Sequence, residues 1–549
     1  MFSLAILIGI YSYFIFLLGV LGLIYKPVLV SLSLIFIFIS GLYYRNNLIN
    51  FFRKAVSFRV TSIPINLEYL FNYIRKNRFQ SLLILILLLQ LLVNLIGVLG
   101  PETSFDALWY HLTLPKLYIL EHGIFYIPGN LLFYSVMPKL TEMLYIPLLL
   151  FGNELGAKLI HFIFGVLTLI VIYKLSRKYL SRNFSLLAVL IFYSNLVVGW
   201  ESIAAYIDLA RTFFEVLALW GFLKWTEKKQ RKWIVVSGTM LGLAISAKII
   251  ALESVFIFIT LFIYLYSVNK EKIQYLINNI SIFCFFSILV PLPWFTFAFI
   301  NTGNPFYPFF SKSIDIGTGF SLPDISHIIN DLLNLFIYSN DPISPIYLAV
   351  LPLLIIFFAK AKREFKVIYI YSLLGLLLWY LTPRIGGGRF ILPYLPAFSI
   401  LVIYAISRLK NVKIRNFLVV VIIFICFTSI GYRILANRRY IPVILGSETK
   451  SEYLTTHLNF SFGDFYDTDN YFKSHLKNTD TVLLYGFHNL YYVDFNFIDS
   501  SWVKKGDSFN YIAVQDGNLP QRFNFWHKVY YNPTTKVKLY SLGGQEWVY

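Results

Sequence analysis

The long apolar runs of this sequence constrain its fold more than any other feature. One of them extends from Leu82 to Leu99 without a single charged residue. Runs of about 18 residues or more match the hydrocarbon thickness of a bilayer when they are helical. Only 14% of the 549 residues are charged, whereas soluble domains average about 25%. We therefore expect a polytopic α-helical membrane protein.

Lysine and arginine concentrate in the short loops between these runs and give a net charge of +19. In a soluble protein this excess would suggest a nucleic-acid partner, but the positive-inside rule explains it here without one. If every basic loop lies in the cytoplasm and the loops between them lie outside, the chain has about 13 spans, a cytoplasmic N-terminus and an extracytoplasmic C-terminus. The predicted spans are 4–24, 27–44, 80–99, 153–173, 184–199, 203–225, 233–247, 250–268, 276–298, 345–359, 367–382, 390–407 and 416–434.

Composition divides the chain into three parts. Residues 1–79 hold two N-terminal spans and a basic cytoplasmic segment, and residues 80–439 form a transmembrane core. The first outer loop of that core covers residues 101–152. Residues 440–549 are polar, with short alternating apolar segments between Gly, Asn and Asp turns. That pattern predicts a small extracytoplasmic α/β domain.

The first outer loop begins with a dense polar stretch, residues 101–116, in which Asp106 is followed by Tyr110 and His111. On a helix Tyr110 would share the face of Asp106, whereas His111 would lie about 140° away. Asp106 is a candidate general base, and the alternative is a carboxylate that caps a helix N-terminus beside Ser104. His111 has two interpretations: a histidine at the membrane interface whose hydrogen bonds are made within the protein, or a residue that contacts the substrate.

The basic loops place further charged residues on the same side as Asp106. Asp208 lies near the end of a span with Tyr206 close by, where an ionisable residue is costly and usually functional. The alternative is a structural pair between Asp208 and Arg211, three residues later. Lys248 has no nearby acid before Glu253, so we expect it to bind an anion such as a lipid phosphate.

Arg389 is a second candidate for binding phosphate. It follows three glycines, Gly386 to Gly388, which permit a close approach of the backbone to a ligand. The alternative is a flexible turn whose arginine anchors at the membrane interface. Arg384, in the same turn, is a weaker candidate.

Taken in order, these motifs resemble the GT-C superfamily of membrane glycosyltransferases, in particular the branch of protein O-mannosyltransferases and the aminoarabinose transferase of lipid A. The resemblance covers about residues 80–440. Asp106 is followed by Ala107, whereas the best-known members often carry adjacent acids there, so a metal site built on a carboxylate pair is not expected. The segments that carry the resemblance are Phe105–His111, Gly242–Lys248, Pro293–Trp294, Thr302–Pro308 and Arg389–Pro393.

The resemblance implies transfer of a sugar from a polyprenyl phosphate to a glycan, lipid or protein acceptor, with inversion at the anomeric carbon. Asp106 would be the base. No metal ligand is assigned, although a divalent cation remains an option. The implied location is the extracytoplasmic side of a membrane, in a prokaryote the cell (inner) membrane. The residues expected to bind the donor phosphate or substrate are Lys248, Arg389, Asp208, Tyr110, His111, Tyr206 and Arg384.

Two other classes of membrane protein fit a many-spanning chain. An O-antigen-type polymerase or ligase has a large loop, but that loop tends to lie late in the sequence, and here the polar loop is early. A transporter or flippase of lipid-linked glycans predicts charges in the middle of spans and inverted repeats. The charged residues here cluster at the ends of spans, and no repeat is evident, so a glycosyltransferase is favoured.

Overall fold

The computed structural model describes residues 1–45, 74–311, 325–338, 342–382 and 387–549. Within these ranges a bundle of helices is followed by a small mixed domain. The helices are α1 Phe2–Val20, α2 Lys26–Tyr43, α3 Arg78–Leu99, α4 Thr113–Leu120, α5 Leu140–Leu149, α6 Leu155–Ser176, α7 Arg182–Tyr193, α8 Leu196–Glu201, α9 Asp208–Lys228, α10 Arg231–Ala247, α11 Glu253–Asn269, α12 Ile273–Leu289, α13 Leu292–Thr302, α14 Ile328–Leu333, α15 Ile346–Phe358, α16 Arg363–Leu381, α17 Gly388–Ile391, α18 Leu395–Ser407, α19 Val412–Asn437, α20 Ile441–Ile444, α21 Lys450–His457 and α22 Tyr471–His475.

The strands all lie in the C-terminal domain. Five of them form one sheet in the order β2-β1-β4-β6-β5, where β1 runs parallel to β2 and β4, and β6 runs antiparallel to its neighbours. A second sheet pairs β3 with β7. The strands are β1 Thr481–Tyr485, β2 Asn496–Asp499, β3 Ser508–Phe509, β4 Tyr511–Gln515, β5 His527–Tyr531, β6 Val537–Ser541 and β7 Trp547–Val548. The expected α/β domain is therefore confirmed.

Each of the 13 predicted spans corresponds to a helix or a bent helix pair. Among the described residues, eight helical segments are long and apolar enough to cross a membrane, and the pair α12 and α13, bent by 59°, gives a ninth. The other four predicted spans are α7, α9, α10 and α15, which are shorter or more polar. These helices confirm a polytopic α-helical membrane protein.

Helices α9 and α10 lie at the centre of the bundle and position the polar residues. They are antiparallel neighbours joined by a short turn. Gly221 of α9 lets them approach closely, because a Cβ there would lie 3.1 Å from the backbone of Ser237. The first residue of α9, Asp208, and the residue after α10, Lys248, therefore lie at one end of the bundle, which we call the site end.

The segment after α3 also lies at the site end, and the C-terminal domain packs against it. Ala107–His111 forms a single π-helical turn. Farther along, the Lys116 ammonium donates to the carbonyls of Tyr491 and Val493 at 2.8 and 2.7 Å. Tyr492 donates its hydroxyl to the carbonyl of Glu102 at 2.9 Å. The domain is thus held directly over the polar segment that contains Asp106.

Candidate active site

Four charged residues from distant parts of the chain meet at the site end. Arg389, in the short helix α17, donates to Asp106 at 2.8 Å and to Asp208 at 3.3 Å. Lys248 donates to the other oxygen of Asp208 at 2.6 Å. These are charge-assisted hydrogen bonds, which are shorter and stronger than neutral ones. The structure thus brings together the base candidate and both cations predicted to bind phosphate.

Glu201, at the end of α8, is a third carboxylate of this cluster. Its side chain is fully buried, and Oε1 lies 3.0 Å from Nε of Arg389. Three carboxylates therefore share two cations, Arg389 and Lys248. A buried carboxylate needs such pairing, because removing a charge from water is costly. The sequence shows Glu201 seven residues before Asp208 in the same interhelical tip, and that proximity was the signal available for it.

Aromatic rings hold the two cations in place. The Arg389 guanidinium lies 4.4 Å from the ring centre of Tyr206 and 5.7 Å from that of Trp200. The Lys248 ammonium lies 5.3 Å from the ring centre of Phe390. Cations are attracted to the faces of such rings. The hydroxyl of Tyr206 also accepts the backbone N–H of Asp106 at 3.2 Å, so Tyr206 joins the loop to the cationic centre.

Asp106 has the most accessible carboxylate of the cluster, with 19% of its side chain exposed, against 1% for Asp208. Tyr110 donates its hydroxyl to this carboxylate at 3.2 Å, which agrees with the four-residue spacing. Burial raises the pKa of Asp106, but the nearby positive groups, Arg389 foremost, together bring the pKa below its usual value. Asp106 makes no capping hydrogen bond, so the capping alternative is not what the structure shows.

His111 is paired with Glu142 and makes no hydrogen bond to the Asp106 carboxylate among the described contacts. Its Nδ1 lies 2.9 Å from Oε1 of Glu142, and both side chains are buried. Its ring packs against those of Tyr110 and Tyr206, with centroids 4.2 and 5.6 Å away. Nε2 is buried and has no hydrogen-bond partner among the described residues. His111 therefore lies behind the two tyrosines that contact Asp106.

The structure excludes one alternative pairing and corrects one expectation about pairing. Arg211 does not pair with Asp208; it binds Glu215 at 3.0 Å and Glu253 at 2.8 Å. Lys248, expected to lack an acidic partner, is paired with Asp208. Lys248 meets Asp208 because α9 and α10 are antiparallel, whereas Arg211 pairs with Glu215 on its own helix and with Glu253 at the start of α11.

Arg384 lies outside the residues that the structure describes. Within the described ranges, no group of three or more His, Cys, Asp and Glu side chains is arranged to hold a metal ion. The three carboxylates around Arg389 are bridged by its guanidinium instead. The charge-compensating groups in the described structure are thus side-chain cations.

The C-terminal domain supplies aromatic contacts beside Asp106. The ring of His488 stacks on Phe105, with centroids 4.8 Å apart, and lies 4.3 Å from that of Trp109. Phe462, with 63% of its surface exposed, packs against Phe105 at 5.3 Å. Rings from both the loop and the C-terminal domain therefore pack together next to Asp106.

Comparisons with known proteins were made on both sequence and fold. A family model described as dolichyl-phosphate-mannose-protein mannosyltransferase matches residues 142–294, which include Asp208 and Lys248. No curated protein sequence matches the chain.

Similar folds occur among solved structures. ArnT from Cupriavidus metallidurans, bound to undecaprenyl phosphate, is 13% identical, with a TM-score of 0.56 over 84% of this chain and 98% of ArnT. Its apo structure gives the same values. The archaeal oligosaccharyltransferase AglB from Archaeoglobus fulgidus, in complex with an inhibitory peptide and a dolichol-phosphate, is 13% identical. Its TM-score is 0.46 over 87% of this chain and 74% of AglB.

The likeness to ArnT shows a common fold, and the family model adds a match in sequence over the central helices. Together they confirm the resemblance to GT-C membrane glycosyltransferases that the ordered motifs indicated. The functional roles of the individual site residues remain predictions.

Proposed function

We propose that this protein transfers a sugar from a polyprenyl phosphate to an acceptor hydroxyl, with inversion, on the extracytoplasmic side of the membrane. The observation that carries the proposal is the contact between Arg389 and two carboxylates, Asp106 and Asp208, with Lys248 on the second. A base candidate and two cations thus lie within one site. The undecaprenyl phosphate bound to ArnT supports the class of donor.

In the proposed reaction, Lys248 and Arg389 bind the phosphate of the donor. Preorganised cations stabilise the negative charge that develops on the leaving phosphate. A lipid phosphate leaves readily, so no general acid is needed, whereas a glycosidase uses two carboxylates. Asp106 accepts the proton of the acceptor hydroxyl as the oxygen attacks the anomeric carbon from the opposite side. One displacement of this kind inverts the configuration.

The donor phosphate competes with Asp106 for Arg389. The guanidinium is the main group that lowers the pKa of the Asp106 carboxyl. When the phosphate takes over hydrogen bonds from Arg389, that effect weakens, and the carboxylate becomes a stronger base. Binding of the donor thereby prepares Asp106 to accept a proton. Asp208 contacts both cations and keeps them aligned during this exchange.

The acceptor hydroxyl reaches Asp106 along the side lined by Phe105, Trp109 and His488. Flat aromatic rings suit the apolar face of a saccharide, so this lining favours a glycan acceptor or the sugar of a glycolipid over a protein hydroxyl. The C-terminal domain therefore takes part in acceptor binding.

The test is sugar transfer by the purified full-length protein in proteoliposomes. The donors are radiolabelled sugars on undecaprenyl phosphate, offered with an envelope glycan fraction from a deletion strain. Transfer from the monophosphate carrier is the expected result. Use of a diphosphate-linked glycan only would indicate a polymerase or ligase, and movement of the labelled lipid across the bilayer without transfer would indicate a flippase.

A further inference from the structure

A second cationic site lies at the site end of α19, outside the cluster around Arg389. A cavity of about 440 Å³ opens there. Its lining includes Trp200, Ile203, Arg433, Asn437, Arg438 and Arg439. Trp200 is shared with the first site, since it also lies beside the Arg389 guanidinium. This site does not depend on the proposed transfer reaction.

Arg433 is the buried member of this site, with only 6% of its surface exposed. One guanidinium nitrogen donates to Oδ1 of Asn437 at 2.8 Å, and Nδ2 of Asn437 donates to the Val93 carbonyl at 2.7 Å. Nε of Arg433 is buried and lacks a hydrogen-bond partner in the described part of the chain. A buried cation without a partner is strongly unfavourable, so this position calls for an anion.

The position of Arg433 is built into the packing of the bundle. Gly199 leaves room for its stem, because a Cβ there would lie 3.1 Å from both Cγ and Cδ of Arg433. Asn437 fixes the guanidinium to the carbonyl of a neighbouring helix. The side chain is therefore held at the wall of the cavity and does not extend freely toward solvent.

Arg438 and Arg439 add two exposed charges at the rim. Among the described ion pairs, neither is joined to a carboxylate, and Arg439 donates to the hydroxyl of Tyr440 at 2.8 Å. Cations at a helix C-terminus complement the helix dipole, and arginines often extend to the membrane interface. These effects explain two exposed arginines, but they do not explain the buried Arg433.

An apolar surface leads along α19 to the three arginines. It is formed by side chains that are 56 to 68% exposed, namely Phe424, Phe427, Tyr432 and Leu435. In a membrane protein such a surface faces hydrocarbon. A ligand that fits both the apolar surface and the arginines has a hydrocarbon tail along α19 and an anionic headgroup at the C-terminal end of that helix.

We propose that Arg433, Arg438 and Arg439 form a binding site for the phosphate headgroup of a membrane lipid. Guanidinium groups suit phosphate, because their planar donors match its oxygens. The headgroup supplies the anion that the Arg433 guanidinium, bonded only to the neutral Asn437 among the described residues, lacks, and its tail covers the apolar face of α19. The phosphate diester of a phospholipid and the phosphate monoester of a polyprenyl carrier share this chemistry.

The site is tested by lipid retention in the full-length protein. The protein is reconstituted in phosphatidylcholine nanodiscs that contain a few per cent of phosphatidylglycerol or of undecaprenyl phosphate. Lipids that remain after transfer to detergent are counted by native mass spectrometry. The wild type should retain one anionic lipid, and the double variant Arg438→Gln/Arg439→Gln should bind it roughly tenfold more weakly, as loss of charged hydrogen bonds implies.

A matched control is Lys410→Gln/Lys413→Gln, which removes two exposed charges at the opposite end of α19 and should leave retention unchanged. Arg433→Gln should abolish retention and Arg433→Lys should restore part of it. If Arg433→Gln does not fold, the double variant still decides, because both of its residues are exposed. Equal retention by the wild type and the double variant would overturn the site.

Separate arms identify the source of the phosphate. Preference for phosphatidylglycerol or for undecaprenyl phosphate distinguishes a phospholipid from a carrier, and either result supports the site. Stabilisation by inorganic phosphate alone, without lipid retention, would overturn a lipid site. Because the readout is retained lipid, an Asp106→Asn protein that has lost sugar transfer should still show the site, so the two proposals fail independently.

Discussion

Two ionic clusters lie one helical turn apart on α9, and they are built differently. The first, at the site end, joins Asp106 and Asp208 to Arg389 and Lys248 through residues at loop and helix ends. The second lies deeper, where Arg211 pairs with Glu215 and Glu253. The charged groups of the first come from four separate segments, whereas those of the second lie on two adjoining helices.

The deeper cluster is surrounded by hydroxyl groups of neighbouring helices. Hydroxyls of Ser254 and Tyr371 donate to the Glu215 carboxylate at 2.8 and 3.1 Å. Tyr394 donates to Glu253 at 3.1 Å. Arg211 and Glu215 have no exposed side-chain surface, whereas Asp106 and Arg389 are 19% and 13% exposed. Because the first cluster is partly accessible, a substrate can exchange with its ionic partners. The Arg211–Glu215 pair is enclosed, which suits the second cluster to holding helices together.

The deeper cluster also supports the first. Tyr394, which contacts both Arg211 and Glu253, lies five residues after Arg389 in the chain. Its ring fills the space beside Gly375, where a Cβ would lie 2.5 Å from the tyrosine. The segment that carries Arg389 is therefore anchored to the bundle by Tyr394. The deeper cluster thus helps to position Arg389, a residue of the first cluster.

The largest expected effect comes from Asp106→Asn. Loss of a general base typically lowers a rate by about 10²- to 10⁴-fold, and the amide retains a similar size and one acceptor oxygen. We expect turnover of the polyprenyl-phosphate sugar to fall by that amount, with unchanged folding in detergent. The control is Asp516→Asn, which removes an exposed carboxylate of the C-terminal domain. Normal turnover by folded Asp106→Asn protein would remove the base assignment.

The second prediction concerns Arg211→Met, which leaves Glu215 and Glu253 buried without their cation. Breaking a buried ion pair by removing one partner costs about 3–5 kcal/mol, so thermal unfolding should occur at clearly lower temperature. The matched control is Lys178→Met, which breaks the partly exposed pair with Glu227 and should cost at most about 1 kcal/mol. Equal stability of the two variants would show that the deeper cluster does not hold the helices together.

The charge pattern of the sequence was sufficient to predict that one end of the bundle holds Asp106, Asp208, Lys248 and Arg389. Short basic loops fix the direction of each span, and direction alone decides which end a residue occupies. The spans and the strand segments in the C-terminal domain could likewise be predicted, because the periodicity of apolar residues is a local property of the sequence.

Contacts between residues that are far apart in the sequence could not be predicted from it. Lys248 is 40 residues from Asp208, and only the antiparallel packing of α9 and α10 joins them. The sequence places Glu201 close to Asp208 but indicates no role for it, because that role depends on the folded path between α8 and α9. The strand order β2-β1-β4-β6-β5 and the contact of Lys116 with the C-terminal domain also depend on long-range packing. Local sequence patterns carry no information about such neighbours.

The third prediction is Lys248→Gln, with an expected 10- to 100-fold loss of kcat/KM, since hydrogen bonds to charged groups contribute about 1.5–3 kcal/mol. The effect should appear mainly in KM for the donor if Lys248 holds the phosphate equally before and during reaction. Lys228→Gln, at the far end of α9 and exposed, is the control. Unchanged donor KM and kcat would exclude Lys248 from the phosphate site and leave its bond to Asp208 as a structural feature.

The smallest predicted effect is a difference between two pH profiles. The pKa of Asp106 is lowered by Arg389, so the pair is intact above the usual aspartate value of about 4. It is lost as the pH falls through the lowered pKa, together with its contribution to stability. The acid limb of kcat/KM, which reports the uncomplexed protein, should therefore lie below that usual value.

The acid limb of kcat reports the complex with donor. If the donor phosphate takes over Arg389, this limb should lie at higher pH than that of kcat/KM. The Arg211–Glu215 pair has no exposed side-chain surface, so Tyr371→Phe, which removes one hydroxyl from Glu215, should leave the separation between the two limbs unchanged. Coincident limbs in the wild type would mean that Arg389 stays with Asp106 throughout the reaction, and the distinction between an exchangeable and a fixed ionic cluster would then fail.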